Sequence, residues 1–336
     1  MLRVACRSPK ANAELITGEG LRVLGHAGGV GVGGNPVLDA FGLRVSEHME
    51  VVSARVLKPP QLCYRNRMLS IREHAASWNL VGVKFPVGGR LRNWAAMAIQ
   101  DRGPGDFTDL NEFKLVTSLF VGKCAESGLD VVDAEPCKWQ KCQLPPKTPL
   151  DPMRVATVPA LRDAIAAVCG SARRRADGTR APDFLLVMLS TDSKQVYSHI
   201  RTLVDCEFGI PTMCCRSDRI RKVRGQPQYL GNVTMKANLK LGGKNHGVAN
   251  SGVLSKLLGT DTLVLGGDVT HPTTKISVKG TPSIAAIVGS YEPTYSLYPG
   301  SIRLQNSKQE VRHPSSLAPH PHPRFHLHVL TGSSAR

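Results

Sequence analysis

Phe184-Leu185-Leu186-Val187-Met188-Leu189 is an unbroken apolar run. A strand with one wet face alternates polar and apolar side chains. A run without alternation predicts a strand buried on both faces, as in a parallel sheet covered by helices. The flanks agree. Downstream, Gln195–Phe208 predicts a helix with Val196, Ile200, Leu203 and Val204 inward and Gly209 as its stop, and Pro211–Cys215 predicts the next strand. Upstream, Pro159–Cys169 predicts a helix with Leu161, Ile165 and Val168 on one face, joined to the run by an Arg-rich loop, Ser171–Pro182. Farther back come a short strand, Leu129–Val132, and a helix through Leu110, Phe113, Val116, Phe120 and Cys124. Thr108 or Asp109 caps that helix and Gly128 stops it. Asn93–Ile99 reads as another buried strand. Strands alternating with helices predict an α/β fold, a doubly wound parallel sheet with its ligand crevice beyond the carboxyl ends of the strands.

Past this region the pattern changes. A helix from Gly231 to Leu241 ends at Gly242-Gly243. Thr262–Leu265, Ser283–Val288 and Ser301–Leu304 then read as neighbouring, largely antiparallel strands that open a second domain. After Glu310 the chain holds four prolines, five histidines and no acid over 311–336, which no sheet continues through. The first 36 residues are glycine-rich and weakly patterned. Gly29-Val30-Gly31-Val32-Gly33-Gly34 matches a dinucleotide-binding spacing formally, but Asn35-Pro36 follows where a helix must open. It reads as flexible chain.

Charge points to the partner. Forty-three Lys and Arg against 26 Asp and Glu give +17, which argues for a polyanion, nucleic acid before a membrane surface. Part of that charge is local: over 216–244 eight cations face the single acid Asp218. The nine cysteines show no zinc-ligand spacing and read as reduced thiols. With no membrane-spanning run and no signal peptide, the expected location is cytoplasmic.

Three clusters carry chemistry. Tyr197 and Arg201 lie four residues apart on one helix face, close to Lys194 at the helix start; Lys236 and Lys240 repeat that spacing. An aromatic and three cations suit a phosphate with a stacked base, although spacing alone favours solvated surface charge for each pair. The third cluster is Leu265-Gly266-Gly267-Asp268-Val269-Thr270-His271-Pro272, where Asp268 leaves an apolar strand in the manner of a metal ligand or a turn residue. One carboxylate does not make a two-metal site. His320, His322, His326 and His328 in the tail have no fold to orient them and read as chance composition.

Taken together, these residues resemble the Argonaute family. Leu263 to Pro272, with Pro282-Ser283-Ile284-Ala285-Ala286-Ile287-Val288-Gly289-Ser290, is similar to the opening of the Piwi domain, and the similarity continues from Arg303 to Gln309-Glu310. Lys236-Ala237-Asn238-Leu239-Lys240-Leu241-Gly242-Gly243 resembles the family's lysine-bearing helix. Ala40-Phe41-Gly42-Leu43 and Arg55-Val56-Leu57-Lys58-Pro59-Pro60 look like the linker before the middle (MID) domain. The resemblance implies a linker at 37–85, a Rossmann-like MID domain at 86–245 (with a Piwi-like profile starting near 183), and the first part of an RNase H-like Piwi domain at 246–310. Residues 1–36 and 311–336 are expected to stand outside it, the first disordered or a gene-prediction artefact and the second a disordered tail. A gene-prediction error such as intron read-through or a frameshift is the expected origin of the switch after Glu310.

Position by position, the resemblance makes Tyr197 the residue that stacks on a guide strand's first base, and makes Lys236 and Lys240 phosphate ligands. Arg201 stands where the family usually has lysine, which keeps the charge with different geometry. Met213 stands where many members have glutamine, and a thioether donates no hydrogen bond. Cys214 matches the cysteine beside it. Asp268 matches the first catalytic aspartate of a Mg²⁺-dependent nuclease, whose later acids have no counterpart here. The expectation is an RNA-silencing protein that binds the 5′-phosphorylated end of a small guide RNA, with target RNA and silencing proteins as partners, and uses no cofactor and cleaves nothing as this chain stands. A slicer, if a longer product restores the missing residues, and an unstable fragment are the alternatives.

Overall fold

The structure is a computed structural model that describes residues 6–26, 35–72, 77–169, 181–249, 258–259, 261–272 and 280–307. The chain divides into two compact units, Met1–Lys58 and Pro59–Arg336. In the first, Pro9–Leu15 is a helix whose cap, Ser8, accepts the Ala11 N–H at 3.2 Å. A π turn, Ile16–Gly20, carries it on to Leu21–Val23, and Asn35 caps a further short helix, Pro36–Ala40. The weakly patterned start therefore holds short helices. They left no amphipathic signature because Leu21 is their one buried residue among those described. The glycine string 29–34 lies outside the described residues.

The second unit contains the expected α/β domain. In chain order it runs β1 (Trp94–Gln100), α1 (Leu110–Glu126), β2 (Lys138–Gln143), α2 (Val158–Cys169), β3 (Phe184–Leu189), α3 (Lys194–Thr202), β4 (Thr212–Arg216) and α4 (Gln226–Lys240). The sheet order is β2-β1-β3-β4 and every neighbouring pair is parallel. Leu186 of β3 lies between Ala96 of β1 and Met213 of β4. Alternate residues of β3 serve two cores. Phe184, Leu186 and Met188 pack with Phe113 and Phe120 of α1 and Leu230 and Val233 of α4; Leu185, Val187 and Leu189 pack with Leu161 and Ile165 of α2 and Ile200 of α3. Both faces are dry, so the strand tolerates no polar alternation.

Three local details differ from expectation. Lys138-Trp139-Gln140-Lys141-Cys142-Gln143 forms β2, although its composition does not read as a strand. As an edge strand it is largely half-buried and carries lysines, a common protection of a free edge. The helix expected over 195–208 is α-helical only to Thr202, then becomes a π turn, Leu203–Phe208, that stops at Gly209 with φ +61°. Helix α4 opens at Gln226 rather than Gly231. Pro227 sits in its first turn, where a missing N–H leaves no bond unmade. The start of α1 follows the sequence signal closely. Asp109 accepts the Glu112 N–H at 2.8 Å, and the Glu112 carboxylate accepts the Thr108 N–H at 2.8 Å in return.

Asn238, fully buried on α4, fixes where that helix ends. Its Oδ1 accepts the Gly89 N–H at 2.7 Å, and its Nδ2 donates to the Val87 carbonyl at 3.2 Å and to Asn245 Oδ1 at 3.0 Å. Gly243 must stay glycine, since a Cβ there falls 2.3 Å from Asn238 Oδ1.

Beyond this domain lies an antiparallel sheet in the order β5 (Leu265–Thr270), β6 (Ser283–Gly289), β7 (Gly300–Gln305). Its first strand is Leu265–Thr270 rather than the expected Thr262–Leu265, because the glycines and Asp268 pair with β6 instead of turning away from it. Leu265, Ile284, Ile287, Ile302 and Leu304 are all exposed. Most of the Arg-rich loop, and the tail from 308 with its histidines, fall outside the described residues. Among the described residues no helix is long and apolar enough to cross a membrane.

Replacing Leu186 by Ala removes a side chain packed in a dry core and is expected to lower the unfolding free energy by about 3 kcal/mol in urea titrations. Ile302→Ala, on the exposed sheet, is expected to change it by no more than about 0.5 kcal/mol.

Candidate functional site

Of the predicted residues, Arg201, Cys214 and Lys240 come together beside edge strand β4. Along it, side chains alternate between the two cores. Met213 is 6% exposed and packs on the α1 and α4 side, whereas Cys214 is half-buried and turns toward the α2 and α3 side. The expected contact by Met213 is therefore not part of the cation cluster: the strand's period of two points it into the core.

Ser193 opens α3 by accepting the Val196 N–H at 3.4 Å, and Arg201 stands in the last turn, where the helix C-terminus favours a cation. Two groups hold its guanidinium. Nη1 donates to the Thr212 carbonyl at 3.2 Å, and Nη2 meets the Asp205 carboxylate at 2.6 Å. Lys240 occupies the last turn of α4. Arg201 and Lys240 share one electrostatic neighbourhood. Lys240 is held below the usual lysine value, first by loss of solvent and then by Arg201, with Asp205 and Cys214 opposing. Burial pushes the Cys214 thiol up to about 12, against the pull of both Arg201 and Lys240. A neutral thiol, two cations and one carboxylate thus share the edge of β4. Lys240, which gives up part of its solvent, lies close enough to Arg201 to be repelled by it, and such a site gains from an anion.

Tyr197 lies one turn before Arg201 on α3 and is 47% exposed, leaving its ring available. Lys236 is exposed one turn before Lys240 on α4. The cations gather beside β4, where Arg201 reaches the strand's first residue, rather than in the crevice beyond the carboxyl ends. At that end Arg154 and Asp101 form a buried ion pair, to which Thr191 Oγ1 adds a hydrogen bond at 3.2 Å. Asp205 was not foreseen as part of the site. Its spacing of four from Arg201 was the available signal.

Asp268 does not leave the end of its strand. It sits inside β5 opposite Ala286, exposed, with Oδ1 accepting the Val269 N–H at 2.9 Å. His271 Nδ1 lies 2.7 Å from Ser283 Oγ. Among the described residues no three His, Cys, Asp or Glu converge. Asp268 thus supplies one carboxylate, where a two-metal site draws on several protein oxygen ligands.

Two family models match the chain. Residues 184–318 match the Piwi domain and residues 11–64 match the Argonaute linker 2 domain. The chain is 29% identical over 321 residues to protein argonaute 1B of Oryza sativa subsp. japonica, covering 93% of this chain and 26% of that protein. It is 28% identical over 281 residues to protein argonaute of Schizosaccharomyces pombe, covering 82% of this chain and 30% of that one. The chain thus spans about a quarter to a third of the length of these relatives. In fold it is similar to the C-terminal lobe of a budding yeast Argonaute, with a TM-score of 0.56 at 24% identity over 76% of this chain and 50% of that one. It is also similar to Kluyveromyces polysporus Argonaute with a guide RNA, with a TM-score of 0.55 at 23% identity over 76% and 30%.

An anion bound between Arg201 and Lys240 stabilises the charged lysine and raises its pKa. The complex then holds more protons than the free protein in the alkaline range, so binding weakens as pH rises there. Calorimetry with inorganic phosphate in buffers of different ionisation heat is expected to show proton uptake on binding at alkaline pH. Lys240→Met is expected to abolish that uptake.

Proposed function

Because the chain belongs to the Argonaute family, we propose that it holds the 5′-phosphorylated end of a small guide RNA, which then pairs with a target RNA. The observation that carries this reading is the shared neighbourhood of Arg201, held on the Thr212 carbonyl of β4, and Lys240, which it repels. In the proposed complex these two cations and Lys236 neutralise the terminal phosphate, and Tyr197 stacks on the first base. Stacking on an aromatic ring contributes about 1–3 kcal/mol and tolerates any base. Arg201 offers a planar fork in place of an ammonium, so its contact is bidentate and directional. Met213, turned into the core, supplies no donor, which leaves the cations to carry recognition.

No cleavage is assigned to these residues. Asp268 offers one carboxylate, and phosphodiester hydrolysis by paired metals needs several. Slicing is proposed only for a longer product that brings further acids to β5.

RNA carrying a 5′ phosphate is expected to bind more tightly than the same RNA with a 5′ hydroxyl, and Lys240→Ala is expected to weaken the phosphorylated ligand alone, by about tenfold. The affinity of both should fall as salt rises. Equal affinity for the two RNAs rules the site out.

A further inference from the structure

We propose that Asp205 is a built-in competitor of the guide phosphate, a carboxylate that neutralises Arg201 in the empty site and must be released when a phosphate enters. The inference rests on the function proposed above and goes beyond it, since it assigns an affinity-setting role to a residue that binds no ligand.

The geometry is specific. Both terminal nitrogens of Arg201 are engaged, Nη1 by the Thr212 carbonyl and Nη2 by Asp205 at 2.6 Å. A guanidinium presents its donors as a planar fork, so a phosphate that approaches Arg201 Nη2 meets a carboxylate already bound there. The Thr212 contact can stay, because it uses the other nitrogen and a backbone acceptor. Asp205 also acts on the second cation, being the first group that opposes the lowering of the Lys240 pKa, so its charge acts on both cations. The ion pair is partly open to water, with 27% and 46% of the two side chains exposed, which lets the carboxylate swing out without unfolding the domain. Its backbone lies in the π turn, Leu203–Phe208, that follows α3.

Two physical effects have the same sign. An incoming phosphate must displace Asp205 from Arg201, and it meets the repulsion of the released carboxylate at close range. Removing that charge removes both penalties. A role in holding Arg201 ready for the phosphate has the opposite sign, since loss of the carboxylate would then let the side chain wander and weaken binding. The direction of the effect separates the two roles.

Asp205→Asn is the direct test, with the full chain and one short RNA prepared with a 5′ phosphate and with a 5′ hydroxyl. The competitor role predicts that D205N binds the phosphorylated RNA about fivefold more tightly than the unaltered protein, with little change for the hydroxyl form. Asp205→Glu, which keeps the charge, should stay near the unaltered affinity. Unchanged or weaker binding of the phosphorylated RNA by D205N, in a protein that still prefers the phosphate, overturns this proposal and leaves the functional reading standing. If the unaltered protein does not distinguish the two RNAs, the functional reading fails and the proposal falls with it. Inorganic phosphate gives an RNA-independent reading of the same site. Its thermal stabilisation of D205N should exceed that of the unaltered protein, and equal stabilisation counts against the competitor.

Discussion

Burial of β3 on both faces is the constraint on which the rest of the domain depends. A strand whose alternate side chains enter two separate dry cores must carry helices above and below. Those helices are α1 and α4 on one side and α2 and α3 on the other, each placed by the apolar side chains it inserts. Because β3 also hydrogen-bonds on both edges, it sets the register of β4, and β4 in turn forms the free edge. The Arg201–Lys240 cluster lies along that edge. Helix α3 ends beside it from one face and α4 from the other, so two cations distant in sequence meet over one strand.

The cluster is tense in a useful way. Placing Arg201 and Lys240 together costs free energy, because the two positive charges repel one another. Asp205 offsets part of it in the empty site, and Cys214, kept neutral, adds no charge of its own. Position depends on groups with no direct role in binding. Asn238 ties the end of α4 to the backbone at Val87 and Gly89, and the Thr212 carbonyl steadies the guanidinium of Arg201.

Much of this was legible in the sequence, for physical reasons that vary by element. The Phe184–Leu189 run and the spacing of Leu161, Ile165 and Val168 report burial directly, and both matched the structure. The pairs Tyr197/Arg201 and Lys236/Lys240 were readable as helix faces, but spacing says nothing about whether two helices bring their faces together. Only the resemblance to a family linked them. Edge strand β2 escaped because its polar, lysine-bearing sequence answers to solvent rather than to a core. Helix α4 was begun five residues late because Gln226-Pro227-Gln228 lacks an apolar face. Asp268 reads as leaving a strand because the apolar run stops at Leu265, whereas Gly266, Gly267 and Asp268 keep pairing with β6. Asp205 was overlooked for a different reason: a carboxylate near a phosphate site runs against the charge expected there.

The measurement that tests the central claim most directly is photocrosslinking. A short 5′-phosphorylated RNA with a photoreactive first base is bound to the full chain, irradiated, and the attachment point located by mass spectrometry. The account predicts attachment at Tyr197 or its immediate neighbours on α3, suppressed by an excess of phosphorylated RNA but not by its 5′-hydroxyl form. Attachment confined to other basic surfaces, or equal suppression by both competitors, would contradict it.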